Sequence, residues 1–113
     1  MATVSLLDEI RQHSPKATFI FCSTNKVYGD GPNYVPMTEG ETRFEYADNT
    51  EGINSSFNTG NCKIRTPFGV SKLSADCAVQ EYGNYFGMNT AVFRLGCVTG
   101  SAQKGVELHG FLN

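Results

Sequence analysis

Lys72 stands four residues after Phe68, in a stretch where Phe68, Ala75, Val79, Tyr82 and Phe86 recur at spacings of three, four and seven. A helix would carry all five on one stripe, and the lysine with them. An ammonium on an apolar face needs a partner or a path to water. Lys72 is therefore either a snorkelling side chain or a functional cation, and spacing alone leaves both open. A second candidate group closes an earlier apolar run: Cys22-Ser23-Thr24-Asn25-Lys26-Val27-Tyr28-Gly29. If that run is a parallel strand, Ser23, Thr24 and Asn25 lie at its carboxyl end, where open α/β sheets bind ligands. A hydroxyl there can hydrogen-bond an oxygen on which charge develops. The same residues equally suit an ordinary polar strand exit.

The elements that would position these groups follow from the pattern. Val4, Leu7 and Ile10 recur at helical spacing, and Pro15 disfavours helix at Ser14, so residues 3 to 13 read as a helix. Residues 17 to 23 are β-branched, aromatic and apolar almost throughout, as in a strand buried on both faces. Residues 30 to 65 are rich in Gly, Asn, Thr, Ser, Asp and Glu without a sustained period. They read as one long polar loop, functional or disordered, and as the part expected to be most mobile. Thr66-Pro67 opens a second helix as N-cap and first-turn proline, running over 66 to 86 to a glycine stop at Gly87. Residues 89 to 95 read as a second buried strand, 96 to 105 as a loop, and 106 to 112 as a candidate start of another helix. Helix, strand, loop, helix, strand is the rhythm of an α/β doubly wound parallel sheet. Two strands are too few to make such a sheet alone, so the chain reads as an internal part of a larger Rossmann-like domain.

Composition narrows the function classes. The chain has 113 residues and a formal net charge of -2, which argues against a nucleic-acid footprint. It has no apolar run near the roughly 20 residues a membrane helix needs, and no basic region before its first apolar residues. The expected compartment is the cytoplasm, with no membrane partner. The four cysteines, Cys22, Cys62, Cys77 and Cys97, form no Cys-x-x-Cys pair. They read as reduced thiols, and no metal site is expected. The sequon Asn54-Ser55-Ser56 is set aside in the absence of a secretion signal.

Three ordered segments then narrow the reading further. Ser23-Thr24-Asn25-Lys26-Val27-Tyr28-Gly29 resembles the Ser/Thr motif of the extended short-chain dehydrogenase/reductase family, NAD-dependent epimerases and dehydratases. It is especially similar to the CDP-paratose (CDP-tyvelose) 2-epimerase branch. Thr66-Pro67-Phe68-Gly69-Val70-Ser71-Lys72 resembles the family's Tyr-x-x-x-Lys segment. Phe93-Arg94-Leu95-Gly96-Cys97-Val98-Thr99-Gly100 resembles the motif after its next strand. The resemblance covers essentially the whole chain and implies roles position by position. Thr24 would hydrogen-bond the sugar hydroxyl being oxidised. Lys72 would bind the nicotinamide ribose and lower the pKa of a neighbouring tyrosine. Ser23 and the Gly96-Cys97 turn would line the nicotinamide and sugar pocket, with Asn25 and Lys26 close to the substrate. The implied cofactor is NAD and the implied substrate a nucleotide sugar, epimerised by oxidation, turnover of the keto sugar and reduction. The family is usually dimeric, so a homodimer through helices 3 to 13 and 66 to 86 is expected. Leu73 and Cys77 give the second helix apolar surface for it.

Two departures stand against full transfer. Phe68 occupies the place of the catalytic tyrosine and has no hydroxyl. The family's strand, Gly-x-x-Gly-x-x-Gly turn and helix, which receive the pyrophosphate, have no counterpart in the sequence. The chain therefore reads as the nicotinamide-side half of an active site, inactive alone. Two alternatives remain: an interaction module completed by another chain, and a dehydratase or reductase of the same superfamily. The latter is disfavoured by Asn25-Lys26, where dehydratases commonly carry an acid pair.

Overall fold

The computed structural model describes residues 2–47, 50, 52–54 and 56–102. Helix α1 spans Ala2–His13 and strand β1 spans Thr18–Thr24. Two short 3-10 turns follow, Asn25–Tyr28 and Gly31–Tyr34. Strands β2 (Met37–Glu39) and β3 (Phe44–Tyr46) pair antiparallel, helix α2 spans Pro67–Phe86, and strand β4 spans Asn89–Leu95. The order is that of an α/β unit, and β1 and β4 pair in parallel, Thr18 against Asn89 through Thr24 against Leu95.

Local chemistry sets the ends of α2. The Thr66 side chain accepts from the Gly69 N–H at 3.1 Å, satisfying one orphan donor of the first turn, and Pro67 needs no partner at the first position. Gly87 ends the helix in the left-handed region at φ 68°, its N–H donating to Gly83 O at 3.0 Å. The core is built where α1, α2 and the sheet meet. Leu7, Val79 and Met88 are buried there, with Ile10, Phe19, Phe21, Ala78, Tyr82 and Val92 packed around them. Strand alternation separates the two sheet faces. Phe19, Phe21 and Val92 face the helices, whereas Ile20 (58% exposed) and Phe93 (52%) lie on a face that no described element covers. Both helices thus pack on one side of the sheet, one half of the doubly wound architecture.

Two expectations are corrected in detail. Residues 30 to 65 are not a featureless loop: they contain the turn Gly31–Tyr34 and the β2–β3 hairpin. Three-residue strands are too short for alternation to reveal. The apolar stripe of α2 is buried only in its middle, at Ala75 and Val79, while Phe68 and Phe86 are exposed. A 20-residue helix is about 30 Å long and a seven-residue strand about 23 Å, so the helix outruns the sheet at both ends. Asp76, outside the predicted stripe, is instead fully buried. The suggested helix at 106 to 112 lies outside the described residues. No helix among the described residues is long and apolar enough to cross a membrane.

Candidate active site

Thr24 ends β1 with extended backbone, and its hydroxyl organises the turn that follows. Thr24 Oγ1 accepts from the Lys26 N–H at 3.3 Å and donates to Asn25 Oδ1 at 3.3 Å. Lys72 comes to the same strand end from α2. Its Nζ donates to Cys22 O at 2.9 Å and lies 4.8 Å from the centre of the Phe21 ring. The ammonium on the apolar face therefore has a strand carbonyl and an aromatic ring as partners. Gly69 explains how closely the helix approaches. A Cβ there would lie 2.6 Å from Lys26 O, so only glycine lets the first turn of α2 rest on the turn Asn25–Tyr28. Phe68 stands one turn before Lys72 on the same helix, with its ring exposed. Lys72 thus reaches β1 at Cys22, two residues before Thr24, and Phe68 stands one turn earlier on the same helix.

The other expected residues divide. Gly96 and Cys97 follow Leu95, the register partner of Thr24, and so leave the sheet at the same end; both are exposed. Asn25 and Lys26 line an open cleft of about 930 Å³ beside the strand ends, with Tyr28, Phe93, Arg94 and Leu95. Ser23 differs from the expectation of a pocket-lining hydroxyl: it is buried, and its Oγ donates to Asp76 Oδ2 at 2.7 Å.

That bond belongs to a network which sequence reasoning missed. Arg94 of β4 grips the Asp76 carboxylate with two bonds, Nε to Oδ2 and Nη2 to Oδ1, both at 2.9 Å. Gln80, one turn on, donates to Oδ1 as well, and Arg94 Nη1 reaches Tyr28 Oη at 3.4 Å. Burial pushes the Asp76 carboxyl up, but the bonds from Arg94 and Ser23 and the guanidinium charge outweigh it. The group is held below the usual carboxylate range. One carboxylate so ties α2 to β1 and β4, and Arg94 extends the tie to the turn after Thr24. Its signal in the sequence was its place, four residues after Lys72, together with an arginine inside an apolar strand; neither alone names the other.

The region combines a strand-exit hydroxyl, a helix lysine four residues after an aromatic, and a second strand exit alongside. A model of the NAD dependent epimerase/dehydratase family matches residues 1–112. The chain belongs to that family. It is also 38% identical over 101 residues to CDP-paratose 2-epimerase from Salmonella typhi, a match covering 89% of this chain and 29% of that protein. The chain thus spans under a third of the length of the relative it matches. Within the family, Ser23 to Gly29, Thr66 to Lys72 and Phe93 to Gly100 are the segments carrying the resemblance, and all three lie around the carboxyl ends of β1 and β4.

Proposed function

We propose that residues 1 to 113 form the nicotinamide-side part of an NAD-dependent nucleotide-sugar epimerase acting in the cytoplasm. The observation that supports the reading is the bond of Lys72 Nζ to Cys22 O near the end of β1, in a chain of this family. The identity to CDP-paratose 2-epimerase supports epimerisation over dehydration. In this reading the Thr24 hydroxyl holds the reacting sugar oxygen. Lys72 supplies a positive field and donors to a ribose at the strand end. Gly96 and Cys97 close the far side of the pocket, and Asn25 and Lys26 flank the sugar. Ser23 acts at one remove, since its hydroxyl is committed to Asp76. NAD, when bound, would supply the hydride chemistry for oxidation and re-reduction of the sugar carbon.

The residues present fit part of that cofactor. The half-buried ammonium at the strand end suits a ribose diol. A pyrophosphate requires backbone N–H groups at a glycine turn opening a helix. Among the described residues, α2 is the helix that follows β1, and it opens with Thr66-Pro67 instead. The 113-residue chain alone is therefore expected to bind NAD with a Kd weaker than micromolar and to be inactive; calorimetry reads this, and micromolar or tighter binding would contradict it. Pairing of two copies through α1 and α2 is part of the proposal, supported by the exposed Leu6, Val70 and Tyr85 on those helices.

The activity is tested in a chimera in which this chain replaces the matched 101 residues of the Salmonella typhi enzyme. Slow NAD-dependent epimerisation of CDP-paratose is expected. A chimera that binds NAD yet shows no turnover, even with Phe68→Tyr, would sink the reading. One observation favours a second use: the uncovered sheet face bearing Ile20 and Phe93 suits an interaction module completed by another chain. A stoichiometric protein partner that copurifies with the chain would support it.

A further inference from the structure

Residues 30 to 65 are polar, yet their far end is tied firmly to the strand exit. Asp30 Oδ1 accepts from the N–H of Lys63 at 2.8 Å and of Ile64 at 3.1 Å, and Oδ2 from the Tyr34 hydroxyl at 2.9 Å. The Asp30 N–H donates in turn to Ile64 O at 3.1 Å. Arg65 spans the same seam, with Nε donating to Val27 O at 3.0 Å and Nη2 to Thr59 O. Gly29, at φ 58°, permits this approach: a Cβ there would stand 2.5 Å from Ile64 O. Farther along, Phe57 packs edge-on against Tyr28 at 5.5 Å, and the Tyr28 hydroxyl donates to Asn54 O at 3.5 Å. A segment fastened at these points is a wall and not a tail.

The wall contributes to the cleft beside the strand ends. Asn33, Ile53 and Asn54 line it together with Asn25 and Phe93. Asn33 is exposed, and its side-chain amide has no partner among the described residues. Asn54 is fixed in orientation, since its Oδ1 accepts from the Ser56 N–H at 2.9 Å and hydroxyl at 2.7 Å. Amides beside apolar surface suit a pyranose, whose hydroxyls need donors and acceptors and whose C–H faces pack on apolar groups. The geometry points to residues 30 to 65 as the specificity wall of this site, with Asn33 and Asn54 reading hydroxyls of the sugar and the Asp30 latch holding them in place. This assignment rests on the nucleotide-sugar reading above.

The test is a titration of the full 113-residue chain with CDP-glucose, followed by amide NMR. The side-chain amide signals of Asn33 and Asn54 should shift saturably. Asn33→Ala should weaken binding about fivefold, the loss of one hydrogen bond of ~1 kcal/mol. Asp30→Ala should speed hydrogen exchange at Lys63 and Ile64 and weaken binding with it, while Leu7 and Val79 keep their protection. If that variant unfolds, the exposed Asn33→Ala alone decides. Three results would overturn the assignment: shifts confined to Thr24, Lys26 and Lys72; unchanged affinity in Asn33→Ala; or no saturable shift at all. Asp30→Ala with faster exchange but unchanged affinity would overturn the latch. Turnover in the chimera judges the epimerase reading separately, so the two can fail independently.

Discussion

Asp76→Ala is expected to destabilise the chain by about 3–5 kcal/mol, the usual cost of removing one partner from a buried ion pair. The carboxylate is fully buried and is the shared acceptor for Arg94, Ser23 and Gln80. Its loss strands the guanidinium of Arg94, whose side chain is only 18% exposed. It also releases Ser23 and frees α2 from both strands. Natural domains hold only about 5–15 kcal/mol in total, so the variant should lie close to its unfolding threshold. Urea denaturation measures the change as a lower midpoint at unchanged slope. The double variant Asp76→Leu with Arg94→Met should recover most of the loss, because it removes both charges and leaves neither unpaired. A single-variant loss below about 1 kcal/mol would show that water reaches the pair and that it behaves as a surface salt bridge.

The same carboxylate sets a pH dependence of known sign. Its folded pKa lies below the unfolded value of about 3.9. The native state therefore binds fewer protons than the unfolded state in that range, and stability rises with pH there. The contribution should be complete above about pH 5 and lost as pH falls through the depressed folded value. Asp76→Asn should flatten that acid limb.

The parts of the fold that could be read from sequence were those with long, repeated signals. Helices α1 and α2 announced themselves through periodicity and through Pro15, Thr66, Pro67 and Gly87. Strands β1 and β4 did so through unbroken apolar runs, each placed within a residue of its bounds. The places of Thr24 and Lys72 in the fold were legible because a strand exit and a helix face are both fixed by their elements. What escaped were pairings between distant residues. Asp76 and Arg94 are 18 positions apart and Ser23 and Asp76 are 53 apart, with no local pattern to join them. The hold of Asp30 on Lys63 and Ile64 reaches across 33 and 34 positions, so the segment between looked unanchored. Ser23 shows the consequence: its type and place suggested a ligand contact, but only the buried partner reveals where its proton points.

Phe68→Tyr is expected to raise NAD-dependent turnover in the chimera at least about tenfold. A positioned acid–base group contributes roughly 10²- to 10⁴-fold to rate, equivalent to about 3–5 kcal/mol of barrier. Phe68 supplies no such group, although it sits one helical turn before Lys72. Its ring is exposed at 55%, so a hydroxyl can be added without burying an unpaired polar atom. The adjacent ammonium would favour the phenolate and bring the tyrosine towards the pH of reaction. The gain should fall short of the full effect, because the surroundings are built around phenylalanine. The rise should appear in kcat with little change in KM, since the proton is transferred in the transition state and not on binding. It should also introduce into the pH profile a fall on the acid side, as the phenolate is protonated, that the unsubstituted chimera lacks. Unchanged or lower turnover with NAD binding intact would mean that a different group already takes the proton. Tyr28 is poorly placed to be that group, because its hydroxyl is buried between Arg94 and Asn54. Lys72 is the stronger candidate, its Nζ already held on Cys22 O near the end of β1, and Lys72→Met in the same chimera should then abolish the remaining turnover.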